Sequence, residues 1–213
     1  MRRLRAGLLV LLALAVAGAA PAPSGRDTVL VDGFDDAALW RPFPADGVEL
    51  NLTGDAGEDG GALRLDFRFT GGGYAIARRE LDLALPDNYA LAFRLRGEAP
   101  VEHLELKLID DTGENVWWHV WRDVAFPREW RTFTAKKRQI SFAWGPAGGG
   151  EIRRVKAIEF AVTAGSGGRG TVWLDRLELR PLPPPDAAPP APVASASSAR
   201  RGQPDRKSTR LNS

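Results

Sequence analysis

Three tryptophans and a histidine lie within one short segment, and their types and spacing suit ligand binding. Residues Asn115 to Trp121 read N-V-W-W-H-V-W and hold three of the seven tryptophans and one of the two histidines. Tryptophan is costly to expose and stacks readily on flat apolar surfaces. A cluster of this density is therefore either a seam of the core or a platform for a ligand.

Strand periodicity predicts which of these side chains face solvent. Alternate residues of a strand share a face, so the valines at 116 and 120 should direct Trp118 into the core. We expect the other parity to form an exposed stripe of Trp117, His119 and Trp121. Pyranose rings stack their C–H faces on indole, while charged side chains hydrogen-bond the hydroxyl groups. For that second role we expect outward-facing residues of neighbouring strands, namely Arg94 and Lys107 with Arg96, Glu105 and Glu159.

An alternative explanation of the tryptophan segment stays open. In this alternative both of its faces are covered, one by the core and the other by a loop or a neighbouring domain, because exposed aromatic residues often mark interfaces. A β-bulge near His119 would also change which side chains share a face.

No residue pattern predicts catalysis. The acidic pairs Glu58-Asp59 and Asp110-Asp111 lie in turn-like segments, where Asp caps backbone amides. The chain has no cysteine nucleophile, and neither histidine belongs to a recognisable triad signature. We therefore expect no catalytic residues in this domain.

The elements that position these residues show a period of two. Alternating apolar residues recur from Leu63 to Phe69, from Tyr89 to Leu95 and from Ile158 to Val162, with Gly- and Asp-rich turns between such runs. No window of helical length has a clean 3.6-residue period. This pattern predicts an all-β domain over residues 27–181, an antiparallel β-sandwich of about ten strands with jelly-roll topology.

The two ends of the chain differ in composition from the middle. A basic start, a short apolar run and an A-x-A site predict a signal peptide at 1–19, which implies a secreted or periplasmic protein with no membrane span after cleavage. Residues 182–204 are rich in Pro, Ala and Ser and predict a disordered linker. Residues 205–213 resemble the conceptual translation of a sequencing-library adapter, which predicts that the natural chain continues differently beyond Pro204.

Charge argues against nucleic acid as a partner. The whole chain carries a net charge of +2, but residues 21–185 hold 21 basic and 25 acidic side chains, a net of −4. Phosphate binding needs a basic stripe, and none remains once the ends are set aside. Without cysteine there is no disulfide, so a large core or a metal ion must supply the stability.

Three framework motifs resemble those of galactose-binding-domain-like jelly rolls. They are V-D-G-F-D-D from Val31, G-G-A-L-R-L from Gly60 and G-T-V-W-L-D-R-L from Gly170. The resemblance is to carbohydrate-binding modules at the front of secreted bacterial glycoside hydrolases, which commonly carry a discoidin-type domain downstream. It implies a non-catalytic domain that holds a longer carbohydrate-active protein on a polysaccharide or oligosaccharide.

The resemblance also implies a structural Ca²⁺. In similar modules this ion joins the acidic residue after the first Phe to the Asp of the last strand, which here are Asp35 and Asp175, with Asp32 a weaker candidate. The alternative is that Asp35 caps a turn and Asp175 pairs with Arg176 or another surface base.

Two other functions stay open. One is a structural or protein-interaction sandwich that packs against downstream hydrolase or discoidin domains of the same chain and binds no sugar. The other is an adaptor for proteins, like the complex I assembly-factor relatives of this fold.

Overall fold

The computed structural model describes residues 27–184, which form twelve β-strands. Helix in this range is limited to two 3-10 turns, Ala37–Leu39 and Lys137–Gln139. The predicted all-β sandwich is confirmed, with twelve strands instead of about ten. The strands are β1 (Val29–Asp32), β2 (Arg41–Pro44), β3 (Glu49–Ala56), β4 (Gly61–Phe69), β5 (Tyr74–Ala84), β6 (Tyr89–Glu98), β7 (Glu102–Asp110), β8 (Val116–Val124), β9 (Arg131–Lys136), β10 (Ser141–Trp144), β11 (Arg154–Thr163) and β12 (Gly168–Pro181).

The strands form two sheets in which every neighbouring pair is antiparallel. The first sheet has the order β3-β4-β12-β6-β9, and β1 also pairs with β12. The second sheet has the order β10-β8-β7-β11-β5-β2. Because β12 is central in the first sheet and pairs with β1, β4 and β6, the start and the end of the described chain meet there.

The core lies between the inner faces of the two sheets. The predicted alternation of β4 holds, because its Leu and Phe side chains are buried in the core. Phe160 of β11 contacts aromatic rings on three sides, with centroid distances of 4.8 Å to Phe93, 5.8 Å to Trp40 and 6.3 Å to Phe34. Each fully buried side chain of this size contributes about 1.5–3 kcal/mol relative to an exposed one.

The three predictions for the chain ends fall on residues without a structural description. The signal peptide at 1–19 and the adapter-like segment at 205–213 lie wholly outside the described residues. The predicted linker lies outside them except for residues 182–184, of which Leu182 donates its backbone N–H to the carbonyl of Asn88 at 2.9 Å. Within residues 27–184, no helix is both long enough and apolar enough to cross a membrane.

Candidate functional site

The tryptophan segment lies on β8, and its two faces are reversed relative to the prediction. Trp117 is only 5% exposed and belongs to the core between the sheets. Its ring meets that of Phe142 edge-on at 5.2 Å, and its indole N–H donates to the carbonyl of Gly150 at 3.0 Å. The predicted exposed stripe is therefore wrong.

The other two residues of the predicted stripe also point between the sheets. Trp121 lies edge-on to Phe93 and Phe133 of the first sheet, at 5.6 and 5.7 Å. His119 meets Trp121 edge-on at 4.3 Å, and its Nδ1 lies 3.1 Å from the carbonyl of Gln139. Large aromatic rings fill the space between β8 and the strands β6 and β9 here.

Trp117 also borders a cleft of about 310 Å³, formed with Tyr89, Ile140 and Ile152. Ligand binding by Trp117, His119 and Trp121 stays a prediction. The exposed stripe on which it was based is not present in the structure.

The valines gave the wrong face because the outer side of the second sheet is apolar at this end of β8. Val116 is 7% exposed, yet it lies on the outer face, in a second buried cluster with Ile109 and Ala157. Trp118 shares this outer face and is half-buried. A solvent-facing side of a sheet that carries an apolar cluster is a candidate binding surface.

A row of side chains crosses the outer face at the level of Trp118. The register places one residue of each strand side by side, in the order Ser141, Trp118, Lys107, Glu159, Arg78 and Arg41. Six strands at about 4.8 Å spacing make this row roughly 24 Å long. It is thus long enough for an extended ligand that lies across the strands.

Three exposed aromatic residues border this row. Trp144 of β10 and Phe43 of β2 are each 48% exposed, and Tyr74 of β5 is 43% exposed. Trp144 meets Trp118 edge-on at 5.6 Å. Phe43 borders a cleft of about 360 Å³ together with Arg78 and Glu80. We call the face formed by Trp144, Trp118, Lys107, Glu159, Arg78, Tyr74 and Phe43 the platform.

Opposite charges on the platform neutralise each other. Lys107 is only 6% exposed; its Nζ lies 3.1 Å from Oε2 of Glu105 and between the rings of Trp144 and Tyr74, at 5.6 and 5.9 Å from their centroids. Arg78 is held in the same way by Glu80 at 2.9 Å and Glu159 at 3.4 Å. The platform therefore offers fixed hydrogen-bonding groups and little uncompensated charge.

The turn between β7 and β8 anchors the loop that follows Trp144. Asn115 donates its side-chain N–H to Oδ2 of Asp110 at 2.7 Å and accepts the backbone N–H of Ala147 at 2.7 Å. Gly145 has φ 130° and passes so close to Asn115 that a Cβ there would lie 2.5 Å from the amide oxygen. Only glycine fits this approach, which brings the end of β10 beside β8.

The same turn determines the protonation of Asp110. Burial alone would raise the pKa of this carboxyl, but hydrogen bonds from Thr112, Asn115 and Gly113 outweigh it and hold the pKa below its usual value. The ionised carboxylate is therefore part of the anchor.

The two charged residues predicted to assist the tryptophans lie on different sheets. Lys107 is on the platform, opposite Trp118. Arg94 is on the outer face of the first sheet, paired with Glu58 and donating to Oγ1 of Thr132 at 2.9 Å. The expectation that Arg94 and Lys107 serve one site is wrong, because parity indicates a side of the strand but not which sheet the strand joins.

Two of the three predicted calcium ligands lie against one loop, residues 57–61. Asp35 Oδ1 accepts the backbone N–H of Gly61 at 2.8 Å, and Asp175 Oδ2 accepts that of Glu58 at 2.9 Å. Asp175 is 1% exposed, and its Oδ1 is buried without a hydrogen-bond partner. Desolvation raises the pKa of Asp175, and the nearby Glu58 raises it further. An unpartnered buried carboxylate oxygen is what a bound cation would satisfy.

The carboxylate of Asp32, the third candidate, already has partners within the protein. It accepts the backbone N–H of Phe34 at 2.7 Å and the indole N–H of Trp40 at 2.8 Å, and it forms an ion pair with Arg79. These contacts stabilise Phe34 at φ 58° and do not suit a metal ligand. Across residues 27–184 no three acidic or histidine side chains converge to hold a metal, so Ca²⁺ would need backbone carbonyl ligands as well.

The alternative partner predicted for Asp175 is also wrong. The Arg176 guanidinium pairs with Glu178 at 2.7 Å and with Asp59 at 3.4 Å. Among residues 27–184, the buried carboxylate of Asp175 therefore forms no ion pair with a basic side chain, although Arg176 lies close enough to interact with it electrostatically.

Solved structures similar in fold to this domain include carbohydrate-binding modules. A family 11 carbohydrate-binding module of a cellulosomal cellulase from Clostridium thermocellum superposes with a TM-score of 0.60 at 14% identity, covering 74% of this chain and 96% of that one. The Clostridium thermocellum module in complex with a β-1,3-1,4-mixed-linked tetrasaccharide gives a TM-score of 0.59 at 14% identity, covering 72% and 95%. The chain has a carbohydrate-binding-module-like jelly roll.

A larger protein also contains this fold. An agarase superposes with a TM-score of 0.50 at 13% identity over 73% of this chain and 25% of its own. No protein-family model matches the chain, and no curated protein matches it.

The sequence pattern does not identify most of the platform's aromatic residues. It does not point to Tyr74 or Phe43, and it predicts Trp118 in the core. The signal for Tyr74 was its place at the start of a strand directly after three glycines. No sequence signal placed Phe43 beside them, because β2 joins the second sheet only through its pairing with β5.

Proposed function

We propose that this domain is a non-catalytic carbohydrate-binding module that binds a glycan chain on the platform. The observation that carries the proposal is the group of exposed aromatic residues, Trp144, Tyr74 and Phe43, around the ion-paired side chains of the platform on a solvent-facing sheet. Aromatic rings stack on the apolar faces of sugar rings. The fold similarity supports the same function, since one of the similar modules is in complex with a tetrasaccharide.

The polar groups of the row would set the orientation of the glycan. Glu159 and Arg78 lie side by side between Trp144 and Phe43 and can accept and donate hydrogen bonds to hydroxyl groups. Because ion pairs already hold these side chains in place, ordering them costs little on binding. The module would hold a longer, secreted carbohydrate-active protein on its polysaccharide.

Affinity electrophoresis tests this proposal. Native gels contain neutral soluble polysaccharides, among them mixed-linked β-1,3-1,4-glucan, and retardation of the wild-type domain is expected in at least one. Trp144→Ala and Tyr74→Ala should lower the affinity about tenfold each. A nucleic-acid base stacked on an aromatic side chain contributes about 1–3 kcal/mol, and we expect a stacked sugar ring to contribute an amount within this range.

The matched control is Trp130→Ala, which removes an indole beside the opposite sheet, just before β9, and should leave neutral-glycan binding unchanged. Equal loss in all three variants, or no retardation by any glycan, would contradict the proposal. The latter result would favour a sandwich that packs against downstream domains through the platform.

We also propose a structural Ca²⁺ held by Asp35 and Asp175 at the loop 57–61. One supporting observation is that Oδ1 of Asp175 is buried without a hydrogen-bond partner. A second is that Oδ2 of Asp175 and the carbonyl oxygen of Gly61 both crowd Gly57. A Cβ added to Gly57 would lie 2.8 Å from the first oxygen and 2.4 Å from the second. A bound Ca²⁺ would cross-link the start of the domain to its last strand.

A further inference from the structure

We propose that the outer face of the first sheet carries a second ligand site, at which Arg96 binds a carboxylate or sulfate group of an acidic polysaccharide. The site is built on four side chains that we call the arginine ladder: Trp130, Arg96, Trp173 and Arg64. Trp173 on the central strand β12 pairs with Arg96 on β6 and with Arg64 on β4. Trp130 immediately precedes β9, the other neighbour of β6.

Two indole rings hold the Arg96 guanidinium in place. Its central carbon lies 4.2 Å from the ring centroid of Trp173 and 5.3 Å from that of Trp130. Trp173 is 6% exposed, and its N–H donates to Asp55 at 2.8 Å, so this ring is fixed. A guanidinium group is weakly hydrated and stacks on aromatic rings, which leaves its outer N–H groups for an oxyanion such as a carboxylate or sulfate.

Arg96 makes no direct ion pair, unlike the arginines beside it, although the Asp55 carboxylate lies close enough to interact with it electrostatically. Among residues 27–184, Arg96 forms no ion pair or side-chain hydrogen bond, and its Nε, like that of Arg94, is buried without a partner. Arg64 is paired with Asp66 at 2.9 Å, and Arg94 is paired with Glu58. A cation that is oriented but unpaired needs little reorganisation to bind an anion, and two parallel hydrogen bonds to one carboxylate or sulfate would satisfy it.

A polar cleft next to the ladder indicates the class of ligand. The cleft has a volume of about 500 Å³, shares Arg64 with the ladder and is lined also by Asn51, Arg68, Arg169 and Thr171. Its lining includes the carboxylates of Asp66 and Glu49, which pair with Arg64 and Arg68. These guanidinium, carboxylate, amide and hydroxyl groups suit a chain that is rich in hydroxyl groups. The core of a protein interface would instead need apolar side chains here.

The binding experiment compares neutral and acidic polysaccharides. Affinity electrophoresis is run with dextran, dextran sulfate and polygalacturonate, and retardation is expected with at least one of the two polyanions but not with dextran. Whichever polyanion binds distinguishes sulfate from carboxylate as the source of the anion. Arg96→Gln should weaken that binding about tenfold, equivalent to about 1.4 kcal/mol, because it removes charge-assisted hydrogen bonds to the anion.

The matched control is Arg131→Gln, which removes the same charge from an exposed position on the neighbouring strand β9. Its affinity should remain near that of the wild type. Equal weakening in the two variants would show unspecific charge attraction and overturn the proposal. Retention of affinity in Arg96→Gln, or no binding of either polyanion, would overturn it as well.

Two further variants test whether a loss of affinity comes from unfolding and whether the second site depends on the platform. If Arg96→Gln has a lowered Tm, Arg96→Lys repeats the test, because it keeps a cation between the rings but cannot form two parallel hydrogen bonds. The same loss of affinity is expected of it, and unchanged affinity overturns the proposal. Trp144→Ala should bind the polyanion normally, so the outcome does not depend on glycan binding at the platform.

Discussion

Trp117 and Trp144 lie on adjacent strands of the second sheet but on opposite sides of it. Trp117 packs between the sheets and its N–H is bonded to Gly150, whereas Trp144 is half exposed and meets only the edge of Trp118 among the aromatic rings. The same residue type therefore contributes to the free energy of unfolding in one place and offers a ring face to solvent in the other.

Alanine substitution should separate these two roles. Trp117→Ala removes a buried ring and should lower the free energy of unfolding by about 3–5 kcal/mol. Trp144→Ala should lower it by about 1 kcal/mol or less, the contribution of a single aromatic pair. Urea unfolding followed by circular dichroism measures both. Similar losses in the two variants would contradict the assignment of Trp144 to the binding face.

At the scale of elements, the turn between β7 and β8 makes stability depend on pH. The pKa of Asp110 is lowered from 3.8 in the folded state, so its contribution to stability is fully present above that value. The contribution is lost as the pH falls through the lower, folded-state pKa. Asp110→Asn should cost about 1–3 kcal/mol at neutral pH, and the difference from the wild type should shrink in acid. Asp111→Asn, an exposed neighbour, is the control and should show no such trend in urea titrations.

The same turn should affect glycan binding without touching the glycan. Asn115→Ala removes the acceptor of the Ala147 N–H, which frees the loop that begins at Trp144. We expect the affinity for the glycan identified by electrophoresis to fall about fivefold, the equivalent of one hydrogen bond. Glu114→Ala, on the exposed side of the turn, should keep the wild-type affinity. Wild-type affinity in both variants would show that the loop does not position Trp144.

Strand periodicity predicted the elements better than it predicted their faces. The alternation in β4 identified its buried side, because the other side carries Arg64, Asp66 and Arg68. The alternation in β8 indicates the wrong buried side, because Val116 lies in an apolar cluster that faces outward. A period of two identifies sides of a strand, but it assigns the core correctly only when one side is polar. Arg94 and Lys107 share an outward parity, and only long-range pairing places them on different sheets.

At the scale of the whole molecule, the two ends of the domain meet beside the loop 57–61. Asp35 follows β1, and Asp175 lies on β12, which pairs with β1. Both carboxylates accept backbone N–H groups from this one loop. A cation bound there would thus stabilise contacts between segments far apart in sequence, where closing a long loop is entropically costly.

Asp175→Asn tests this cross-link through the melting temperature. The pKa of Asp175 is raised by desolvation, so in chelator the stability it contributes declines as the pH rises from 3.8 through the folded-state value. In chelator at pH 7, Asp175→Asn should therefore melt at or above the wild-type temperature. With Ca²⁺ at about 100 times its dissociation constant, the wild type should gain about 2.7 kcal/mol and the variant little or nothing. Asp82→Asn, an exposed substitution on β5, should respond to Ca²⁺ like the wild type. Identical melting of the wild type in chelator and in Ca²⁺ would show that no Ca²⁺ binds at this loop. Asp175 would then be a buried acid that opposes folding near neutral pH.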